Sequence, residues 1–523
     1  MTLLRRNIVA NYLGEGWAAL MGLAFIPVYI KYLGMEAYGL LGIFALLQAS
    51  LALLDMGMTP TLNREMARFT AGAHSSQSIR DLLRSLEMIC FSLAALIALG
   101  VWGASGYLAR DWLKADRLPT EVVAQALAIM ALVVGLRFCE GIYRGSLFGL
   151  QRQVRYNSIH AMLATLRYGG AVAVLAWVSP TVAAFFIWQA AISLLTIAVF
   201  AVSVHQALPR VPSPAKFSGE ALAGIWKFAS GMMGITVLAL LLTQVDKVLL
   251  SRLLPLEFFG YYTLAATVAG ALYMIIVPIT QAIYPRMVEL SMREDQAGLV
   301  AIYHQGAQFV TVLTAPAVIL LSVFAGGVVF MWSGNPGLAE NTAPILSVLV
   351  LGTFLHGLMH MPYQLQLAHG WTSLAIKTNI IAVVVLIPAI FWVVPRYGAV
   401  GAAWIWAALN AGYALFAIQF MHRRLIPGEK WRWYFADVLL PTGGAIGVML
   451  VAQRLQPTSY QNRLHWLVFL LITGCLALAA SSALADRIRD RLLAIMSSCL
   501  DRAVLNKREI GIISTVIHRI RKL

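Results

Sequence analysis

Long apolar stretches recur along the whole chain, and they decide what it can fold into. A helix needs about 20 mainly apolar residues to cross the hydrocarbon core of a bilayer. In lipid, every backbone N–H and C=O of such a segment must be satisfied internally. Fourteen stretches meet the requirement, at roughly 7–30, 38–58, 88–109, 121–143, 159–179, 181–204, 226–250, 258–284, 302–332, 342–366, 374–394, 401–421, 434–454 and 464–485. They predict an all-α polytopic membrane protein, with 302–332 long enough to tilt or to kink at Pro316. Composition agrees: 12% of the residues are charged and 60% hydrophobic, whereas soluble proteins carry about twice that share of charge. Length alone would suggest about three soluble domains; the recurring stretches replace them with one membrane bundle. Arg5-Arg6 precedes an apolar run, as in a signal peptide, but the run carries Asn11 and Glu15, continues to Ile30 and has no clear small-x-small cleavage site. It is expected to stay as the first helix. The four cysteines, Cys90, Cys139, Cys475 and Cys499, form no C-x-x-C pair, and the first three lie in apolar stretches. This argues against a disulfide framework or a zinc site.

The net charge of +16 invites a nucleic-acid reading, so its distribution matters. With the N-terminus inside, the cytoplasmic segments hold 28 of the 39 Lys and Arg and the outer segments eight. That asymmetry is the positive-inside signature. It places both termini in the cytoplasm, fits an even helix number and leaves no call for nucleic acid.

The chain also repeats. Leu33-Gly-Met-Glu36-Ala-Tyr-Gly39 lies between helices 1 and 2, and Leu254-Pro-Leu-Glu257-Phe-Phe-Gly260 between helices 7 and 8. The distance from the closing Gly to the next cytoplasmic Arg is 25 residues in one case (Arg64) and 26 in the other (Arg286). Six helices separate the copies, so they share one orientation. The pattern implies a parallel repeat about an axis along the membrane normal, with binding at the repeat interface. The expected organisation is an N-lobe of helices 1–6 (1–204), a cytoplasmic inter-lobe loop (205–225), a C-lobe of helices 7–12 (226–421), two added helices (434–485) and a basic tail (486–523). In the tail, Ile510, Ile513, Val516, Ile517 and Ile520 at helical spacing sit among Arg519, Arg521 and Lys522. Two readings stand there: an amphipathic helix on the anionic inner surface, or a partly disordered basic tail.

Particular residues sharpen this. Pro27 falls late in the first helix, and Leu33-Gly34 with Tyr38-Gly39 marks the following turn. The second helix ends Leu54-Asp55-x-Gly57, Arg64-Glu65-x-x-Arg68 follows, and Gly149-Leu-Gln-Arg152 precedes Asn157. In these motifs the chain resembles the oligosaccharide flippases of the multidrug/oligosaccharidyl-lipid/polysaccharide exporter superfamily. The likeness covers the whole hydropathy layout, with its residue matches concentrated in the first third. It implies two pseudo-symmetric six-helix lobes with two further helices. The implied activity is flipping of a polyprenyl-pyrophosphate-linked oligosaccharide from the cytoplasmic to the outer leaflet of a bacterial inner membrane, by alternating access through a central cationic cavity. The implied partners are the lipid-linked glycan, membrane lipids and other glycan-assembly proteins.

No G-x-x-x-x-G-K-[ST], H-E-x-x-H or G-x-S-x-G motif is present, so nothing points to a resident nucleotide site, metalloprotease or serine hydrolase. The outer loops are about a dozen residues or fewer, which argues against a membrane glycan transferase or polymerase. A lipid-linked peptidoglycan precursor flippase and a cation-coupled drug antiporter are the rivals within the superfamily. The latter would want acidic residues where the central helices here lean basic.

Charge inside the bilayer gives the site candidates, because each ionised side chain at the centre costs about 2.5–3.5 kcal/mol on insertion scales and must face a partner or a cavity. Arg167, in the middle of helix 5, is the leading headgroup ligand, since a guanidinium fork matches phosphate oxygens. The alternative is a structural pair with Glu140 or Glu15. Arg137, Glu140 and Arg144 share a face of helix 4 at i, i+3 and i+7. Arg137 either lines the cavity or is neutralised by Glu140, while Arg144 snorkels to the inner surface. On the same helix, Gly141-x-x-x-Gly145-x-x-x-Gly149 permits close packing. Asn7, Asn11 and Glu15 form a polar stripe on helix 1, where Glu15 is a candidate Na+ or H+ coupling residue or an ion-pair partner of Arg137 or Arg167. On helix 7, Asp246 is a charge-pairing candidate and Lys247 either reaches the headgroup or snorkels. His160, His356 and His360 are cavity polar candidates. His356 and His360 sit at i, i+4 without a carboxylate, so no metal is expected. Asp55, Arg64 and Arg68 read as structural, with Asp55 capping or pinning the loop. No cofactor is expected.

Overall fold

The structure is a computed structural model that describes residues 3–55, 58–70, 72–219, 222, 244–371, 373–457, 460–491 and 493–494. No strand forms among the described residues. The chain is an all-α, multi-pass membrane protein, with eleven helices among the described residues long and apolar enough to cross a membrane.

The helices run in the order α1 (Leu3–Ala24), α2 (Ile26–Leu33), α3 (Met35–Leu54), α4 (Met58–Thr70), α5 (Ser76–Tyr107), α6 (Thr120–Gly149), α7 (Gln153–Trp177) and α8 (Val182–Ala207), then α9 over 244–253. They continue with α10 (Leu256–Gly270), α11 (Tyr273–Met292), α12 (Gln296–Val323), α13 (Ala325–Ser333), α14 (Pro336–Leu358), α15 (His360–Ala368) and α16 (Ser373–Gly412). The last are α17 (Ile418–Leu425), the single turn α18 (Lys430–Arg432), α19 (Leu440–Ala452) and α20 (Arg463–Leu484). Side-chain caps begin several of them. Ser75 accepts from the Ser78 amide at 3.1 Å, Asn335 from that of Leu338 at 3.1 Å, and Asn462 from those of Leu464 and His465 at 2.9 and 3.2 Å. Such caps satisfy amides that have no partner within the helix.

The spans differ from the fourteen stretches at two places, the second stretch and 226–250. The second stretch appears as the shorter apolar helix Met35–Leu51. The stretches at 374–394 and 401–421 run on within Ser373–Leu425 but form two helices that meet at a kink at Gly398, whose φ of 58° and ψ of −145° only a residue without a Cβ adopts freely. The stretch 226–250 lies mostly outside the described residues. Pro27 breaks the first span, because it cannot bond the carbonyl four residues earlier. The turn falls at Phe25, which takes the Val28 and Tyr29 amides at 3.1 and 3.0 Å.

The chain forms two compact units, Met1–Leu264 with Ala382–Ala402, and Ala265–Ile381 with Ala403–Leu523. In the first, α6 is the hub, packed on α3, α4, α5 and α8. Its glycine stripe faces α4: a Cβ at Gly141, Gly145 or Gly149 would lie 2.7, 2.5 or 2.3 Å from Thr59 Oγ1, Thr59 O or Asn63 O. In the second, α12 is the hub, packed on α11, α14, α19 and α20. Large apolar side chains point outward along the spans, such as Leu96, Leu99 and Trp102 on α5 and Ile381, Val384 and Val385 on α16. That is the surface a lipid solvent accepts.

Candidate functional site

Three helices of the first unit carry polar side chains at mid-length, and the fold brings these together. Arg167 on α7 is buried; its Nη2 donates to Glu140 Oε1 on α6 at 3.0 Å and to Thr196 Oγ1 on α8 at 3.1 Å. Arg137, one turn before Glu140, turns away from it. Its Nη2 donates to Gln189 Oε1 on α8 at 2.9 Å, and its guanidinium lies over the Phe44 ring of α3, 5.1 Å from the centroid, a cation–π arrangement. Thus the i, i+3 neighbours on α6 form no direct ion pair; Glu140 pairs with Arg167 across a helix interface.

Two guanidiniums and one carboxylate leave one net positive charge in this cluster. The Nε of Arg137 and that of Arg167 are buried and have no hydrogen-bond partner among the described residues, and the same holds for Ser193 Oγ on α8. A buried donor left unmade costs about 1–3 kcal/mol or more when charged. Here two such donors sit beside surplus positive charge, an arrangement that fits a transient anionic guest. Gln189, Ser193, Thr196 and Phe44 were not singled out from the sequence. The first three form a polar stripe at i, i+4 and i+7 in an otherwise apolar stretch, and that spacing was the available signal.

The other candidates sit around this cluster or apart from it. Glu15 pairs with Arg144 at 3.0 Å, with both side chains about half exposed, so its partner is neither Arg137 nor Arg167. Arg144 also lies over Phe148 and Tyr156, while His160 stacks on Tyr156, with centroids 5.4 Å apart. Asn11 accepts from Asn157 Nδ2 at 2.6 Å, tying α1 to α7; the Asn7 side chain lies outside the described residues. Lys247 and Asp246 approach to 3.8 Å, and Tyr262 donates to Asp246 at 3.5 Å. Asp55 caps α4, accepting the Thr59 amide at 3.2 Å and its hydroxyl at 2.7 Å. Arg64 and Arg68 flank the buried Glu65, which His74 also reaches at 2.7 Å. In the second unit, His356 bonds the Tyr273 hydroxyl at 2.8 Å and packs against His360 and Trp406. Among the described residues no group of three or more His, Cys, Asp or Glu could hold a metal ion. The tail from 495 onward lies outside the described residues.

The described residues thus form an all-helical multi-pass membrane fold with a polar cluster at mid-span. The chain belongs to the polysaccharide biosynthesis protein family, whose pattern it matches over residues 4–291. It is 21% identical over 402 residues to a Shigella flexneri protein named for O-antigen transport, covering 77% of this chain and 94% of that one. Its fold is similar to that of the lipid II flippase MurJ in an inward closed conformation, with a TM-score of 0.65, 13% identity, and 93% of this chain and 99% of that one covered. It is also similar to an inward-facing multidrug resistance transporter of the MATE family in the MOP superfamily, with a TM-score of 0.63, 13% identity, and coverage of 79% and 94%. The fold is thus similar to folds of the superfamily expected from the sequence, and the names of the family and of the O-antigen relative point to a transporter rather than an enzyme.

Neutralising Glu15 is expected to do little. An ion pair between half-exposed side chains contributes about 0–1 kcal/mol. Glu15→Gln should therefore leave transport, and its response to an imposed Na+ or H+ gradient, within two-fold of native. A gradient response abolished by this change would instead make Glu15 the coupling residue.

Proposed function

We propose that the protein flips a polyprenyl-pyrophosphate-linked oligosaccharide from the cytoplasmic to the outer leaflet of the inner membrane. The observation that carries this reading is the pair of guanidiniums of buried Arg167 and half-buried Arg137, each with a buried, unpaired Nε–H at mid-span. A pyrophosphate offers charge and several acceptor oxygens to such donors. The headgroup binds at this cluster, exchanging part of the Glu140 and Gln189 contacts for phosphate contacts, while the polyprenyl tail stays in lipid. Rocking of the two sequence repeats then exposes the headgroup to the other side. Membership of a polysaccharide biosynthesis family and the O-antigen relative support a glycan cargo. The net positive charge of the cluster disfavours a cationic drug.

The test is transport by purified protein in liposomes containing a fluorescent polyprenyl-pyrophosphate glycan, read by the rate at which a membrane-impermeant quencher or glycosidase reaches the label. We expect that rate to exceed the empty-liposome background at least ten-fold, with a cationic dye unmoved. Transport of the dye in place of the glycan would replace this reading with the antiporter one. Rescue of cells depleted of their peptidoglycan-precursor flippase would widen the cargo to that lipid.

A further inference from the structure

Two membrane spans break along their length, and the residues beside the breaks meet in the second unit. Leu256–Met292 is interrupted at 271–272, where α10 ends and α11 begins, and Pro336–Ala368 at Met359, between α14 and α15. Gly270 closes α10, and Pro362 has no N–H for the Leu358 carbonyl. At such depth an irregular backbone is tolerated only inside protein or beside a water-filled cavity. Transporters place discontinuous helices of this kind at their binding sites.

Four half-buried side chains gather there: Tyr273 at the start of α11, His356 and His360 on either side of the Met359 break, and Trp406 on α16. The Tyr273 hydroxyl and His356 Nδ1 share a hydrogen bond of 2.8 Å. The rings of Tyr273 and His360 lie 5.9 Å apart, those of His356 and His360 5.4 Å, and those of His356 and Trp406 5.6 Å. Glycines let the helices close on one another. A Cβ at Gly352 would stand 2.5 Å from Trp406 Cδ1, and one at Gly357 would stand 2.5 Å from Ile276 Cδ1. One turn beyond Trp406, fully buried Asn410 donates to the Trp406 carbonyl at 2.8 Å, and its Oδ1 has no partner among the described residues.

Hydrogen-bonding capacity is left over. Whichever atom holds the proton between Tyr273 and His356, Nε2 of that imidazole keeps one bond to offer. Neither nitrogen of His360 has a hydrogen-bond partner among the described residues. Histidines inside a membrane span face the bundle interior or a wet cavity. No hydrogen bond or ion pair joins the four side chains to an Asp, Glu, Lys or Arg among the described residues, so the cluster is polar and aromatic without fixed charge. A pyranose matches such a surface. Its C–H face lies on an aromatic ring, and its hydroxyls both donate to and accept from imidazole nitrogens.

We propose that Tyr273, His356, His360 and Trp406 form a sugar-binding subsite, with a pyranose ring stacked on Trp406 and its hydroxyls bonded to the two imidazoles. The proposal rests on the flippase reading for its ligand, a lipid-linked glycan. It gives the second unit recognition of the sugars, apart from the guanidiniums that serve the pyrophosphate.

The test is binding by the purified full chain in lipid nanodiscs. Two probes are compared: the pooled polyprenyl-pyrophosphate oligosaccharides of the host cell, and bare polyprenyl pyrophosphate. Both carry the same phosphates, so the ratio of their affinities isolates the sugars. We expect the native protein to prefer the glycosylated lipid by about ten-fold, the scale of one or two net hydrogen bonds. Trp406→Leu combined with His360→Ala should bring the two affinities within about two-fold of each other, whereas Trp406→Phe, which keeps a ring, should hold most of the preference. His360→Ala alone, which breaks no hydrogen bond among the described residues, should lower the preference a few-fold and carries the test if the double variant does not fold. An unchanged preference in the folded variants would overturn the subsite and leave the cluster as helix packing. Equal weakening of both lipids would overturn it too, since that marks damage away from the sugars. A preference that vanishes on substitution, in a protein that flips neither lipid in liposomes, would keep the subsite and sink the flippase reading, because binding is read without transport.

Discussion

Replacing Arg167 and Glu140 together by Gln is expected to leave the protein folded and to slow glycan flipping by about ten- to one-hundred-fold. The single change Arg167→Ala is the poorer experiment, because it strands the Glu140 carboxylate in a helix interface, and breaking a buried pair costs about 3–5 kcal/mol whatever the pair is for. The double change removes both charges and keeps two amides that hydrogen-bond each other and Thr196. What it deletes is the guanidinium fork that the proposed headgroup contact needs. A hydrogen bond to a charged group contributes about 1.5–3 kcal/mol, which sets the fold-change. Flipping is read in liposomes and folding by size-exclusion chromatography and thermal unfolding of the same preparation. A double variant that flips at the native rate would make Arg167–Glu140 a structural pair and move the headgroup site to Arg137.

The second large effect is expected far from that cluster. In the second unit His304 is fully buried between two carboxylates, with Nδ1 on Asp437 and Nε2 on Glu429 at 3.0 Å. Both contacts are hydrogen bonds only if the imidazole carries two protons or one carboxyl is protonated. Gln308 adds a bond to Asp437 at 3.0 Å, and its carbonyl accepts the Arg487 amide at 3.1 Å just past the last span. Asp437→Ala leaves His304 and Gln308 without that partner inside the helix bundle. It should destabilise the folded protein by about 3–5 kcal/mol, with Asp437→Asn losing clearly less because it keeps an acceptor. Thermal unfolding in detergent micelles measures both. A loss under about 1 kcal/mol for the alanine variant would show that the network is dispensable.

The contrast between these clusters shows what a sequence reveals about such a protein. Spans were legible because the bilayer imposes a length and a polarity that local composition must meet. The break between the stretches 374–394 and 401–421 was legible too, and the backbone turns within it, at Gly398. Arg137, Glu140 and Arg167 were legible as isolated charges in apolar stretches. Their pairing was legible only as open alternatives: spacing on α6 joins Arg137 to Glu140, whereas the helix crossing gives Glu140 to Arg167, one of the two partners the sequence offered for that guanidinium. His304 and Asp437, 133 residues apart, and Glu36, whose carboxylate accepts the amides of Asp116, Arg117 and Leu118, lay beyond any local pattern. In each case one partner had an ordinary sequence context, and only the tertiary fold gave it a role.

The glycine stripe on α6 carries a consequence for how the sequence can drift. At 141, 145 and 149 the backbone of α4 stands where a side chain would go, so a saturation library screened for function should return those three positions almost empty, while Leu132 on the outward face of the same helix should accept most apolar residues. Two rates of change on one helix would then map lipid against protein without any structure, and reading the helices in that way would show which faces a bilayer leaves free and which the bundle has claimed.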